Sequence, residues 1–247
     1  MKFLDLTLPS PQENLALDEA LLDWAEEIAP PVEFLRLWEA PQPLVVLGRS
    51  SRVDQEVDRP TCEEKSIPIL RRSSGGAAVV VGPGCLMYAV VLSYELRPEL
   101  KDIGRAHAFV LRSLAKELSA ELANVTCAGT SDLVLIDNSP ATARKFSGNS
   151  IRAKRSHVLY HGTLLYDFDL SLIGTCLKLP LRQPNYRRAR SHGDFVTNLP
   201  IGEIAIRKAV LRAFPLSEEV TDWPQERVAH LVSERFSQDG WNLSYPL

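Results

Sequence analysis

The sequence predicts an α+β fold in one domain spanning residues 1–247. Strand-length apolar runs outnumber helical patterns through the middle of the chain, and amphipathic helical patterns occupy both ends. No internal repeat, low-complexity tract or flexible linker divides it. At 247 residues with 45% hydrophobic content, the chain can bury a large core.

Taken in order, residues 11–27 place Leu15, Leu17, Ala20, Leu21 and Trp24 at helical spacings, with acids in the first turns and Pro30 and Pro31 as a stop. Residues 32–40 alternate as a half-buried strand, with Phe34, Arg36 and Trp38 on one face and Leu35 and Leu37 on the other. Residues 43–48 form a short buried strand, 53–66 a charged helix or irregular connection, and 67–72 lead into a special loop.

That loop heads residues 71–92, RRSSGGAAVVVGPGCLMYAVVL, a strand-turn-strand signal. Adjacent glycines permit positive φ and a close backbone approach, and exposed amides beside arginines favour an anion. The stretch reads as an anion-binding loop on a sheet, or as an ordinary hairpin with solvated arginines.

Residues 102–122 form an amphipathic helix with Ala106, Phe109, Val110, Leu114 and Leu118 on its apolar stripe. A strand at 131–137, a polar turn at 138–145 that delivers Lys145, a glycine-containing segment at 146–156 and a strand at 157–170 follow. After Leu170 the chain is basic and irregular, and helices resume at 204–214 and 225–236.

Charge and composition narrow the function. A net charge of -3 and a pI near 6.0 argue against a generic nucleic-acid binder. The N-terminal apolar run is broken by Asp5 and two prolines, unlike a signal peptide, and no segment approaches a membrane span, so a cytoplasmic protein is expected. The four cysteines, Cys62, Cys85, Cys127 and Cys176, lack metal-ligand spacing and read as small buried apolar residues.

Three motifs in order carry a resemblance: Arg71-Arg72-Ser73-Ser74-Gly75-Gly76-Ala77-Ala78-Val79; Lys145-Phe146-Ser147-Gly148-Asn149-Ser150; and His161-Gly162-Thr163-Leu164-Leu165 with Asp169-Leu170. Weaker agreements flank them at Asn14-Leu15-Ala16, Gly48-Arg49, Ser131-Asp132-Leu133, Val196-Thr197-Asn198-Leu199 and Gly240-Trp241-Asn242. Together these resemble the lipoate-protein ligase family. The resemblance implies a biotin/lipoate ligase-like fold, akin to class II aminoacyl-tRNA synthetases. Such a fold has a central mostly antiparallel sheet, a smaller sheet and flanking helices.

It further implies that lipoate or octanoate is activated by ATP, with Mg, to an acyl-adenylate and passed to a lysine of a lipoyl carrier domain. Lys145 would hold acyl and phosphate oxygens in both steps. Arg71, Arg72 and the amides around Gly75, Gly76, Ala77 and Ala78 would cradle phosphate. Ser74, Ser147 and Gly148 would line the acyl-adenylate site, Asp132 would contact nucleotide or metal or cap a strand, and His161, Gly162 and Thr163 would lie beneath the pocket, His161 in a structural role.

The chain departs from the family pattern in three places. Ala77 replaces a third glycine, Val81-Gly82-Pro83-Gly84-Cys85 replaces a His-Asp pair followed by Gly-Asn, and the sequence stops at Leu247 with no C-terminal accessory domain, which a separate small protein could supply. Related octanoyltransferases, which use no ATP, give an alternative. Cys127, eighteen positions before Lys145, would then be the nucleophile, activated by a neighbouring cation. A lipoate-binding protein without catalysis is a third reading, and retention of Lys145 argues against it. The basic stretch from Arg182 to His192 is either solvated or a dock for an acidic carrier domain or for ATP phosphates.

Overall fold

The structure, a computed structural model, describes residues 1–137, 139–180 and 182–244. Asn138 of the expected polar turn, Leu181 of the basic stretch and the last residues of the sequence therefore lie outside the described residues.

In chain order the elements are β1 (Lys2–Asp5), α1 (Pro11–Ala25), β2 (Phe34–Glu39), β3 (Leu44–Leu47), α2 (Val53–Glu56), α3 (Arg59–Glu64), β4 (Ile69–Arg71), β5 (Val79–Val81), β6 (Cys85–Ser93) and α4 (Ile103–Leu118). The second half holds β7 (Val125–Ala128), β8 (Asp132–Leu135), β9 (Arg144–Ala153), β10 (His157–Leu165), α5 (Ser171–Cys176), α6 (His192–Phe195), α7 (Glu203–Ala213), β11 (Glu218–Glu219) and α8 (Gln225–Leu231). An eight-stranded sheet runs β11-β1-β2-β6-β10-β9-β8-β7, and a three-stranded sheet runs β4-β3-β5. In the large sheet only β1 pairs in parallel, with β2 and β11. No helix among the described residues is long and apolar enough to cross a membrane.

The central strands β6 and β10 are buried along their whole length, and the two-residue alternation sorts their side chains into two cores. Met87, Ala89 and Val91 face α1 and the small sheet with Leu17, Leu21 and Val45. Leu86, Tyr88, Val90 and Leu92 face α4 and α7 with Val110, Leu114 and Ile206. Helix α1 starts at a capping box, Ser10 accepting from the Glu13 amide at 3.2 Å while Glu13 accepts from the Ser10 amide at 2.9 Å. The Asp102 side chain caps α4 by accepting from the Arg105 amide at 2.8 Å.

Several expectations change. The apolar runs either side of Gly82–Gly84 are not paired as a hairpin: β5 joins β3 in the small sheet and β6 sits between β2 and β10 in the large one. Both runs are buried, so apolar content alone could not assign them to different sheets. Gly84 makes the crossing, with φ +83° and the space of a Cβ lying 2.2 Å from Asp167 backbone atoms. The glycine-containing segment after Lys145 forms the body of β9, and Lys145 stands inside that strand rather than in the polar turn before it. Within the stretch read as irregular, α5 and α6 are helical, and residues 53–66 split into α2 and α3. The C-terminal helix continues past α8 in two π-helical turns, Val232–Phe236 and Gly240–Ser244.

On β2, Arg36 shares the inner face with Phe34 and Trp38, as the alternation predicts. Its buried guanidinium donates to the Leu6 and Asn14 carbonyls, to Asn14 Oδ1 and to Asp18 Oδ1, the last at 2.7 Å. One cation thereby ties the end of β1 and the first turns of α1 to β2. Removing one partner of such a pair strands the other charge in the core. Arg36→Met is expected to lower unfolding free energy by about 3–5 kcal/mol in chemical denaturation, whereas a loss below about 1 kcal/mol would show the pair to be dispensable.

Candidate functional site

Two adjoining cavities, of about 160 and 350 Å3, open along the seam between the small sheet and strands β8, β9 and β10. Ala77, Ala78, Asp132, Lys145, Gly148 and Thr163 line both. The smaller chamber is walled by apolar groups such as Val80, Leu165, Ile173, Leu177 and Phe195. The larger one reaches Leu15, Asp18, Val46, Met87 and His161.

Lys145 stands on the wall between them. Its Nζ is 2.7 Å from Asp132 Oδ1, and Asp132 Oδ2 accepts from the Tyr186 hydroxyl at 2.6 Å. Burial, followed by the charge of Asp132, pushes the Tyr186 phenol well up, so it stays a donor. Asp132 and Gly148 face each other across β8 and β9. A Cβ on Gly148 would lie 2.7 Å from Lys145 Nζ and 2.8 Å from its Cε, so the bare glycine is the trough in which the lysine reaches its carboxylate. Gly162 has the same kind of role, because its Cβ would stand 1.8 Å from Asn149 Oδ1. Asn149 in turn donates to the Ser131 carbonyl and the Ser147 hydroxyl, and Thr163 Oγ1 accepts from the Gly148 amide at 3.2 Å.

The arginine-glycine loop is built differently from the expected cradle. Arg71 lines neither chamber: its guanidinium donates to the carbonyls of Gly48, Arg49, Ser51, Trp241 and Asn242, clamping β3 and the C-terminal turns. Arg72 borders the larger chamber and donates to Val46, Gly75 and Ala77 carbonyls and to Ser74 Oγ. Burial lowers its pKa to about 10. Arg71 thus ties together segments outside the loop, and Arg72 bonds the carbonyls and the serine within it.

Ser74 is buried and also lines neither chamber. Gly75, Gly76 and Ala77 are exposed at the mouth, with Gly76 at φ +87° and its carbonyl held by the Ser51 hydroxyl at 3.2 Å. The Ala78 amide already meets Glu56 Oε2 at 2.6 Å. Gly82 packs against Pro43 and Phe168, Gly84 against Asp167 and Phe168, Pro83 between them is exposed, and none of the positions from Val81 to Cys85 lines a chamber. That turn lacks the polar side chains that a nucleotide was expected to meet there, and so does not fit ATP with Mg.

Cys127 does not face the site either. It pairs with Leu133 across β7 and β8, and directly opposed residues share a sheet face. Leu133 belongs to the core beneath α4, on the far side from Asp132. The residue Cys127 is exposed at the surface, and partial desolvation of its thiol raises the pKa while Arg112 on α4 opposes the shift. A thiolate activated by Lys145 is therefore not what this arrangement provides. Cys62, Cys85 and Cys176 are buried.

Sequence reading missed Tyr186, Arg187, Glu56 and Asp18. The stretch carrying the first two was read as solvated or as a dock, yet Arg187 is buried over the Phe195 ring at 4.7 Å and borders the smaller chamber. Its Nη2 has no hydrogen-bond partner among the described residues, and burial lowers its pKa. A buried donor without an acceptor costs stability unless a ligand supplies one. Asp18 could have been found as an acid among the leucines of an amphipathic helix. Gly148→Ala is expected to push Lys145 Nζ beyond 4 Å from Asp132 in a crystal structure, because the added methyl occupies its path; an unchanged contact would contradict the trough.

Comparison with known proteins follows from this geometry. Residues 10–204 match the family described as Lipoyl protein ligase A/B catalytic domain. Octanoyltransferase LipM of Anoxybacillus flavithermus is 25% identical over 98% of this chain and 97% of that protein. Lipoate-protein ligase LplJ of Bacillus subtilis is 25% identical over 98% of this chain and 73% of the ligase. Among solved structures, a bi-partite lipoate protein ligase from Thermoplasma acidophilum superposes with a TM-score of 0.82 at 23% identity, over 98% of this chain and 95% of that one. With its mostly antiparallel large sheet, its small sheet and its Lys145 motif, the chain belongs to the lipoyl protein ligase A/B catalytic domain family.

Proposed function

We propose that the protein transfers an octanoyl- or lipoyl-type acyl group onto a lysine of a lipoyl domain, taking it from a carrier-protein thioester rather than activating a free acid with ATP. The observation that carries this reading is the position of Lys145 on the wall shared by two chambers. One chamber can hold the acyl chain and the other the group it leaves, with the reacting carbonyl beside the ammonium. Two further observations support the thioester donor. The LipM octanoyltransferase of Anoxybacillus flavithermus matches 98% of the chain, and those of Halalkalibacterium halodurans and Geobacillus kaustophilus match the same share. The turn from Val81 to Cys85 carries no charged, hydroxyl or amide side chain and lines neither chamber.

In this mechanism the amine of the acceptor lysine attacks the thioester carbonyl. As the C–N bond forms, negative charge moves to the carbonyl oxygen, where the Lys145 ammonium stabilises it. Collapse breaks the C–S bond, and the proton lost by the amine ends on the departing sulfur. Asp132, itself held by the Tyr186 hydroxyl, fixes Lys145 for this role. No described cysteine lines either chamber, which supports direct transfer over a thioester on Cys127.

A second reading, ATP-dependent ligation, is favoured by one observation. Arg187 offers an unpartnered buried donor in the smaller chamber, where an acyl phosphate would find an acceptor's place.

The test is the intact mass of an apo lipoyl domain after incubation with the protein and either octanoyl-acyl-carrier protein alone or lipoate with MgATP. The thioester donor alone is expected to acylate the acceptor, and Cys127→Ser is expected to retain that activity. Modification only with the free acid and MgATP would establish the ligase reading instead. Loss of thioester-driven transfer in Cys127→Ser would overturn direct transfer.

A further inference from the structure

A line of buried polar side chains crosses the protein from the core ion pair to the mouth of the site. Asp18 takes a hydrogen bond from Arg36 through Oδ1 at 2.7 Å and faces His161 Nδ1 through Oδ2 at 3.0 Å. His161 Nε2 lies 2.6 Å from Ser74 Oγ, which accepts from Arg72 Nε at 3.1 Å. Arg72 donates onward to the carbonyls of Gly75 and Ala77. All five side chains are buried.

The direction of every bond is fixed by its neighbours. Asp18 is an acceptor only, already engaged by a guanidinium, so His161 Nδ1 carries the proton. In this tautomer Nε2 presents a lone pair, to which the Ser74 hydroxyl donates. Its own oxygen is thereby left to accept from Arg72, which can only donate. The other neutral tautomer would set the Nδ1 lone pair against the Asp18 carboxylate.

From this we infer that His161 and Asp18 are positioning residues: through Ser74 and Arg72 they hold the Gly75–Ala78 loop that walls both chambers in a single arrangement. The inference deepens the acyl-transfer reading and rests on it for its effect on turnover. It also explains why Ser74, expected to line the site, points inward, and why the loop keeps its shape although Gly75, Gly76 and Ala77 are exposed. The loop's other ties come from Ser150, which donates to the Gly75 carbonyl at 2.7 Å, and from Ser51 and Glu56. Only the Arg72 bonds reach the core through the relay.

Two pairs of variants separate positioning from bulk stability. Ser74→Ala removes the joint between His161 and Arg72, and Ser74→Thr keeps its hydroxyl. His161→Gln places an amide oxygen near the Nε2 position, and His161→Asn reaches only the Nδ1 position. Two readouts are taken: amide hydrogen exchange of the loop peptide in the free protein, and the KM for octanoyl-acyl-carrier protein. Ser74→Ala and His161→Asn are expected to speed loop exchange and raise that KM by about tenfold or more, while Ser74→Thr and His161→Gln stay within about threefold of wild type.

Equal impairment by the Gln and Asn variants, or loop exchange unchanged in Ser74→Ala, would overturn the inference. Should the His161 variants fail to fold, the Ser74 pair decides alone. Exchange is read without turnover, so a wild-type protein that fails to transfer acyl groups would sink the functional reading and leave this result standing on its own.

Discussion

The contact on which the site depends is the ion pair between Lys145 and Asp132, whose lysine end passes through the space that a side chain on Gly148 would take. Lysine is a flexible point charge, and an exposed one samples many positions. Here the cross-strand pairing of Asp132 with Gly148 sets a carboxylate at the end of a groove one side chain wide. The lysine lies in the groove, and its ammonium stops between the two chambers. Tyr186 fills the second carboxylate oxygen, so Asp132 is held from both sides.

The second constraint is the route by which the chain reaches that groove. The turn at Gly82–Gly84 sends two adjacent apolar strands into different sheets, so the loop ahead of β5 closes over the edge of the sheet that carries Lys145. Arg71 anchors this closure to β3 and the C-terminal turns, and Arg72 gives the loop its internal shape. Guanidinium groups suit this work because their several fixed donors can satisfy carbonyls that a tight loop leaves unpaired. Positive charge in the loop thus serves the backbone first, and among the described residues the buried guanidinium nitrogen left without a hydrogen-bond partner is Arg187 Nη2, beside the smaller chamber.

How much of this was legible in the sequence depended on the kind of signal. The amphipathic α4 and the two-faced β2 could be read because burial on one side imposes a period, and Arg36 was placed on its correct face for that reason. Strand β9 was not recognised, since its glycine and its serines serve the cavity rather than a core and so carry no apolar alternation. The loop arginines looked like anion ligands because sequence shows charge but not which carbonyls lie nearby. Cys127 came close to Lys145 along the chain yet faces the other side of the sheet, a fact that depends on strand register and not on separation. Lys145 itself was identified from the residues after it, and Gly148 among them proved to have a steric purpose.

The central claim is that Lys145 stabilises charge on the reacting carbonyl rather than merely binding the donor. The most direct measurement is the turnover of Lys145→Ala at saturating acyl donor, with donor affinity measured separately by calorimetry. The account predicts that kcat falls by about 100- to 1000-fold, the range for loss of a single oxyanion donor, while donor affinity stays within about tenfold of wild type. A kcat within about tenfold of wild type, or a defect that donor binding explains in full, would contradict it.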